Sequence, residues 1–330
     1  MKVFEKNKMG TLELENRIGV PPMCTYLCRT QDGVASDDHI AHYTTLAKGK
    51  PAFIIQEATA VNAFGYIDNQ CLGIYTPRQK EALKRIVDQV HAQGVKFGIQ
   101  LNHAGMKNQF GNQKYSAMSQ SDVVGLNIEQ IDQIIKDFEY AAISARDLKY
   151  DFIEIHAAHG YLINQFLSPL TNQRSDEYQN RMLLLKRICE ACIRSFEGTL
   201  IVRLSVEEYE EAGLHKEDFV SIVKELEAIG VHAISVSSGG LNKSQINSYP
   251  LYQIPLATYI KQQVNIPVMG VGLITSEEEI EDILNKEQCD IVLLGRKLVR
   301  DPYFLLKWKD RLNELKMEDI GEILYRSIHK

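Results

Sequence analysis

No run of apolar residues in this sequence approaches the length needed to cross a bilayer, and the first ten residues, MKVFEKNKMG, lack the apolar core of a secretory signal. A cytoplasmic location is the expectation. No cluster of lysine and arginine stands out and the net charge is -6, so the electrostatic footprint of a nucleic-acid binder is missing. Cysteine is sparse: Cys24, Cys28, Cys71, Cys189, Cys192 and Cys289 are scattered over 330 residues, which argues against a disulfide framework. Cys189 and Cys192 form one CxxC inside RMLLLKRICEACIRSF, an amphipathic helical pattern. With no second pair to complete a four-sulfur site, they read as buried helix residues. No Pro-, Gly- or Ser-rich linker, low-complexity segment or shift of composition divides the chain, so a single domain over 1–330 is expected. The 45% hydrophobic content supports a sizeable core, and the 24% charged fraction is ordinary for a soluble protein.

What the sequence does contain is an alternation. Short apolar runs at 18–23, 53–57, 96–101, 152–155, 200–204, 233–236, 267–271 and 291–294 read as strands. Between them lie helical stripes such as Leu83, Ile86, Val87 and Val90, or Phe219, Ile222, Val223 and Leu226. Thr76-Pro77 opens one helix with proline at its first position, and Ser276 with Glu279 forms a capping box for another. Residues 2–16 read as a small lid or hairpin before the first strand. Eight strand–helix units fit an α/β fold of the (β/α)8 (TIM) barrel type in both count and length. The rival, a doubly wound sheet, wants a Gly-rich fingerprint after its first strand, and PPMCTY is not one.

The chemistry concentrates in DFIEIHAAHGYLINQFLSPL, residues 151–170. A buried strand ends there in His156, His159 and Tyr161, with alanine and glycine between, at the end of a barrel strand where such enzymes keep their active sites. Neutral imidazoles donate hydrogen bonds to a carbonyl or oxyanion, and a phenol delivers a proton. An HxxH pair also ligates zinc, with His103 or Glu57 as a third ligand from another strand end. Arg203, at the end of an apolar strand, should face an anion, or a carboxylate such as Glu57 or Glu154 in a purely structural pair. Gln100 is equally readable as a satisfied core residue, and Cys24 as a small buried one. Gly270 and Gly272 after strand seven, Gly295-Arg296 after strand eight, and Ser237 to Gly240 (with Ser238 and Gly239) after strand six all fall on one rim. Together they favour a phosphate site.

PPMCTY at 21–26, EA at 57–58, IQLNHAG at 99–105, IEIHAAHGYLINQFLSP at 153–169, VRLS at 202–205, SSGG at 237–240 and LLGR at 293–296 resemble the Old Yellow Enzyme family, and within it the shorter bacterial ene-reductase or NADPH dehydrogenase branch. The resemblance implies a barrel carrying FMN, reduced by NADPH or NADH. It implies that Pro21, Pro22, Met23, Cys24 and Ala58 line the flavin, with Cys24 near N5. Gln100 would bond the pyrimidine ring, Arg203 would face N1/O2, and Gly270, Gly295 and Arg296 would take the phosphate. It implies that His156 and His159, assisted by Tyr26, hold the oxygen of an α,β-unsaturated carbonyl or nitro compound. Hydride would pass from N5 to the β-carbon, and Tyr161 would protonate the α-carbon. Arg326, in LYRS, is the counterpart of an arginine that reaches a neighbouring subunit, which implies a homo-oligomer. The chain departs from the family at Met106, after Tyr178, and in a shortened 110–127 segment. The alternatives are a metal-dependent barrel hydrolase or lyase using His156, His159 and His103, and a flavin-binding barrel with little turnover.

Overall fold

A computed structural model describes residues 1–110, 113–242 and 246–329; Gly111 and Asn112, within the shortened segment, lie outside the described residues. Eight parallel strands form the frame: β1 (Ile18–Val20), β2 (Phe53–Ala60), β3 (Lys96–Asn102), β4 (Phe152–Ala157), β5 (Thr199–Ser205), β6 (Ala233–Ser237), β7 (Val268–Gly270) and β8 (Ile291–Leu293). Each pairs with its sequence neighbours, and β1 pairs with both β2 (Gly19 opposite Phe53) and β8 (Val292 opposite Ile18), which closes the sheet on itself. Closure removes every free strand edge from the frame. Outside run α1 (Asp37–Lys48), α2 (Pro77–His91), α3 (Ile128–Asp147), α4 (Leu183–Phe196), α5 (Lys216–Ala228), α6 (Ile254–Lys261), α7 (Glu277–Asn285) and α8 (Phe304–Arg311). This is the expected (β/α)8 barrel.

Local chemistry sets the helix ends. Thr76 Oγ1 accepts from the Gln79 amide at 3.3 Å while Gln79 Oε1 accepts from the Thr76 amide at 3.0 Å, with Pro77 at the first helical position. The Ser276–Glu279 box forms in the same reciprocal way, at 3.1 and 3.0 Å. The apolar stripe of α2 (Leu83, Ile86, Val87 and Val90) is fully buried against the sheet.

Strand alternation sends every second side chain inward. On β4 the inward set is Phe152, Glu154 and His156, from one end of the barrel to the other. Phe152 meets Phe53 edge-to-face, with ring centroids 5.4 Å apart. The space for these rings comes from missing side chains: a Cβ on Gly98 would sit 2.2 Å from the Phe152 ring, and one on Gly19 2.3 Å from the Phe53 ring. The N-terminal hairpin, Asn7–Met9 with Leu12–Leu14, adds Met9, Leu12 and Leu14 to this apolar layer. Thr11 N–H donates to Thr199 Oγ1 at 3.0 Å, and Asn7 reaches the Asp290 carbonyl, both where strands begin. The expected lid is therefore a plug, sealing the end opposite the HAAHGY loop.

Smaller elements decorate the frame. Leu72–Gly73 adds an edge pairing to β2, Lys114–Ser116 pairs with Val123–Gly125, and a buried helix spans Leu162–Leu167. After α8 come two short helices, Met317–Ile320 and Glu322–Ile328. Among the described residues no helix is long and apolar enough to cross a membrane.

Candidate active site

β4 carries His156 to the open end of the barrel, where the chain turns. The Ala158 amide donates to His156 Nδ1 at 3.3 Å, so that nitrogen is the acceptor and the ring proton sits on Nε2. His156 Nε2–H then faces His159 Nδ1 at 3.3 Å, which leaves His159 its proton on Nε2, directed at Ser237 Oγ at 2.7 Å. The result is a directional chain from β4 to the end of β6. Burial holds both imidazoles well below their usual pKa; His156 is depressed further by His159, and both by the nearby Arg203 and Lys107 charges. Both rings are neutral donors at pH 7.

His159 has φ +59, the left-handed region that non-glycine residues seldom occupy. Its backbone is gripped from two sides: its N–H donates to Ser205 Oγ at 3.0 Å, and its carbonyl accepts from Lys107 Nζ at 2.9 Å. Lys107 also bonds the Gly240 carbonyl, and Ser205 Oγ donates to the Gly239 carbonyl at 2.8 Å. The loops after β3, β4, β5 and β6 are thereby tied into one rim. Gly160, at φ +72, fits only because it lacks a side chain: a Cβ would lie 2.4 Å from the Gly240 oxygen. Behind it Asn164 accepts from the Gly160 amide at 2.7 Å, and Gln165 donates to the Gly160 carbonyl at 2.7 Å. Tyr161 emerges from this brace with its ring 4.8 Å from that of His156, edge to face. Burial, then the Cys24 thiol and Tyr26, push the Tyr161 phenol above its ordinary pKa.

Inside the barrel, one layer below the histidines, lies a polar stratum. Gln100 Nε2 donates to Glu154 Oε1 at 2.6 Å. Burial raises the Glu154 carboxyl to about 7, against the opposing pull of Arg203 and Gln100. Arg203 is 7% exposed, its Nε has no hydrogen-bond partner, and among the described residues no carboxylate lies within ion-pairing distance of it. A buried guanidinium left in that state is a vacant donor aimed at whatever fills the space above.

That space is a cavity of about 960 Å³ on the strand-end face, at the upper end of the roughly 300–1,000 Å³ usual for ligand clefts. Pro21, Pro22, Met23, His159, Tyr161, Arg203, Ser238, Gly272, Gly295 and Arg296 stand on its wall. His156 and Gln100 are not wall residues: His156 abuts two of them, His159 and Tyr161, and Gln100 is bonded to Glu154. Gly239 sits beside it at φ +65, and Gly270 ends β7 with its Cβ direction toward Ile254 and Cys289, away from the opening. Cys24 and Ala58 belong to an adjoining cluster with Tyr161, Cys71 and Phe110, and Tyr26 is half-exposed. Arg326 pairs with Glu322 on its own exposed helix.

Several wall residues lie outside the motifs of the sequence. Lys107 is one, bonded to carbonyls of two other loops. Gln253 is another; it donates to both Ser237 Oγ (3.2 Å) and Ser238 Oγ (2.9 Å) from the turn before α6, and nothing local in the sequence signals that reach. Lys297 and Arg300 follow Arg296 on the short helix Arg296–Arg300, and the i, i+4 spacing of the two arginines was a usable sign. Among the described residues neither arginine has a carboxylate within ion-pairing distance, and Asp301, on the same wall, is turned to Lys307 at 2.8 Å.

The metal alternative fails on geometry. His103 Nδ1 accepts from the Gly105 amide at 3.1 Å and its ring is buried, and among the described residues no three His, Cys, Asp or Glu side chains converge. The donor set suits a flat ring that gains negative charge on reduction and carries a phosphate: a buried arginine without an ion-pair partner among the described residues, and Arg296, Lys297 and Arg300 beside Gly272 and Gly295 on the cavity wall. FMN fits that description.

A closed barrel with a cationic cofactor cradle beside neutral hydrogen-bond donors defines the class: an FMN-dependent oxidoreductase. Residues 2–314 match the NADH:flavin oxidoreductase / NADH oxidase family, and the chain belongs to it. A protein named NADPH dehydrogenase from Listeria monocytogenes serotype 4a (strain HCC23) is 41% identical over 323 residues, covering 95% of this chain and 96% of its own. The old yellow enzyme homologue of Zymomonas mobilis superposes with a TM-score of 0.82 at 24% identity, covering 98% of this chain and 97% of that one. A 2-naphthoyl-CoA reductase in complex with 2-naphthoyl-CoA superposes at 0.89 with 20% identity over 94% of this chain, which spans only about half (52%) of that longer protein. The chain is an NAD(P)H-dependent flavin oxidoreductase that takes FMN as cofactor.

Proposed function

We propose that this enzyme is an ene reductase, passing the electrons of NAD(P)H to α,β-unsaturated carbonyl or nitro compounds. The observation that carries the reading is the pair of neutral imidazoles beside Tyr161 at the edge of one cavity. Bound FMN would supply two-electron redox chemistry between the nicotinamide and the acceptor. Pro21, Pro22, Met23 and Ala58 would flank its ring, with Cys24 at the reactive edge and Gln100 and Arg203 at the pyrimidine. Ser238, Gly239, Gly270, Gly272, Gly295 and Arg296 would surround the phosphate.

His159 Nε2–H now rests on Ser237 Oγ, and His156 Nε2–H on His159. A substrate oxygen that takes the place of these acceptors is polarised by both rings, which makes its β-carbon electrophilic. Tyr26 closes the substrate side. Tyr161 keeps its proton through neutral pH, because its pKa is raised, and delivers it to the α-carbon. The whole chain would act as one FMN-binding unit. Six free thiols fit a reducing, cytoplasmic setting. We infer a homo-oligomer as well: helix Glu322–Ile328 buries none of its residues and Ile323 is 90% exposed, so Arg326 stands on a face free for a second copy.

Anaerobic titration tests the substrate class. The yellow protein should bleach with NADPH or NADH and regain its colour on adding cyclohexenone or a maleimide. Bleaching that no enone or nitroalkene reverses would sink the ene-reductase reading and leave the oxidoreductase standing.

A further inference from the structure

Glu57 lies on β2 beneath the segment leaving β1, off the cavity wall, and the proposed chemistry makes no use of it. The residue is fully buried, yet its carboxylate gathers three donors. The Thr25 amide reaches Oε2 at 2.9 Å, the Thr25 hydroxyl reaches Oε1 at 2.6 Å, and the Tyr43 hydroxyl reaches Oε1 at 3.3 Å. Tyr43 in turn accepts from the Glu57 amide at 2.9 Å. One turn earlier on α1, the Ser36 amide donates to His39 Nδ1 at 3.0 Å, which puts that ring's proton on Nε2. This nitrogen is buried without a hydrogen-bond partner, 3.8 Å from Glu57 Oε1. Among the described residues no lysine or arginine pairs with Glu57.

Thr25 stands between Cys24 and Tyr26, and Tyr26 has φ +55 while half-exposed. A bulky residue in the left-handed region is strained and persists only where its neighbours over-determine it. Burial of the Tyr26 side chain does not supply that restraint. The two bonds from Glu57 to the preceding residue do.

We propose that Glu57 is a positioning residue: it anchors Thr25 and so holds Cys24 and Tyr26 in place beside Tyr161, most firmly as the carboxylate. The roles of Cys24 and Tyr26 rest on the ene-reductase reading; the anchoring does not. Burial raises the Glu57 carboxyl to about 7, with the Thr25 and Tyr43 bonds opposing. The groups that face it stay neutral around that pH. Burial lifts Tyr43 and lowers His39 to about 4 and His42 below its usual value. Cys24 is raised by its bond to Cys71 and by burial, and Tyr26 by the Cys24 thiol and burial. Near neutrality Glu57 is thus the group that changes state. Protonation turns one of its oxygens into a donor, so one hydroxyl bond must reverse or break.

The test uses the FMN-loaded enzyme without any acceptor, so failure of the substrate reading leaves its readouts untouched. Hydrogen exchange at the Thr25 amide and iodoacetamide labelling of Cys24, followed by peptide mass spectrometry, are measured at pH 6 and pH 8 and corrected for intrinsic rates. Glu57→Ala should remove the protection of Thr25 and raise Cys24 labelling about tenfold, the scale of one hydrogen bond to a charged group. Thr25→Val, which keeps shape and loses only the hydroxyl, should give an intermediate rise and supports the proposal even if Glu57→Ala fails to fold. Wild type should show a step between the two pH values, with more labelling at pH 6. Glu57→Gln should keep Thr25 protected and abolish the step. A step that survives in Glu57→Gln, or Thr25→Val labelling at the wild-type rate, would overturn the proposal.

Discussion

Replacing Arg203 with methionine separates two explanations for a buried guanidinium. If Arg203 is a structural partner of Glu154, its removal strands a buried charge and should lower the stability of the apoprotein by about 3–5 kcal/mol. The geometry favours the other outcome. Glu154 is bonded to Gln100 at 2.6 Å, Arg203 Nε is unpartnered, and burial has already raised Glu154 to about 7, so the carboxyl can simply take a proton. Apoprotein stability in urea should therefore be unchanged or slightly higher in Arg203→Met. The loss should fall on the cofactor: one charge-assisted hydrogen bond is worth about 1.5–3 kcal/mol, or roughly 10- to 150-fold in Kd. Titrating apoprotein with FMN and following the quenching of flavin fluorescence measures it. An unchanged FMN Kd together with a drop of several kcal/mol in apoprotein stability would refute the assignment and make Arg203 a core ion-pair residue.

Tyr161→Phe should slow the reoxidation of reduced enzyme by enones about 100-fold, the usual scale for a positioned general acid, while flavin reduction by NADPH changes little in stopped flow; equal slowing of both would remove Tyr161 from the donor role. His156→Ala frees His159 from the bond that sets its tautomer, so phenolic ligands should bind about tenfold more weakly in an absorbance titration. Glu154 has a folded pKa of about 7 against a model-compound value of 4.5, so its contribution to stability is complete below pH 4.5 and is lost as pH rises through 7. Urea unfolding of the apoprotein should accordingly show Glu154→Gln gaining on wild type by about 2–3 kcal/mol between pH 5 and pH 8. Gly98→Ala drives a methyl into the Phe152 ring, at 2.2 Å before relaxation, and should cost about 1–3 kcal/mol by thermal unfolding while the FMN content of the folded fraction stays normal.

Much of the frame was legible because barrel strands announce themselves locally. Runs such as 53–57 and 96–101, punctuated by capped helices, need no tertiary knowledge, and the strands extend them by only a few residues, to Ala60 and Asn102. The HAAHGY loop was legible because its residue types are chemically distinctive. The direction of the N-terminal hairpin was not: whether Met9, Leu12 and Leu14 cover the mouth or the base depends on partners such as Thr199 and Asp290, far along the chain. Gln100 shows the same limit. Its amide meets Glu154 through the β3–β4 register, and no local pattern distinguishes that bond from one to a ligand. Lys107 and Gln253 matter through carbonyls and hydroxyls on other loops, so their contribution exists only after the barrel closes.

The charge distribution at the mouth performs two tasks that would otherwise conflict. A cofactor that bears a phosphate and gains negative charge on its ring calls for cations, and Arg203, Arg296, Lys297 and Arg300 all line the cavity. On the ene-reductase reading the histidines donate to a substrate oxygen and need only one proton each, and an imidazolium pair 3.3 Å apart would repel itself. Burial does most of the work of keeping them neutral, and the field of Arg203 and Lys107 pushes their pKa values further in the same direction. The cations thus reinforce the neutral donors. The directional chain from the Ala158 amide through both rings to Ser237 then determines which nitrogen carries each proton, and Lys107 fixes the His159 backbone from which that chain hangs. A substitution that discharges Lys107 would loosen the loop and relax the histidine pKa values together, so geometry and protonation at this site rise or fall as one.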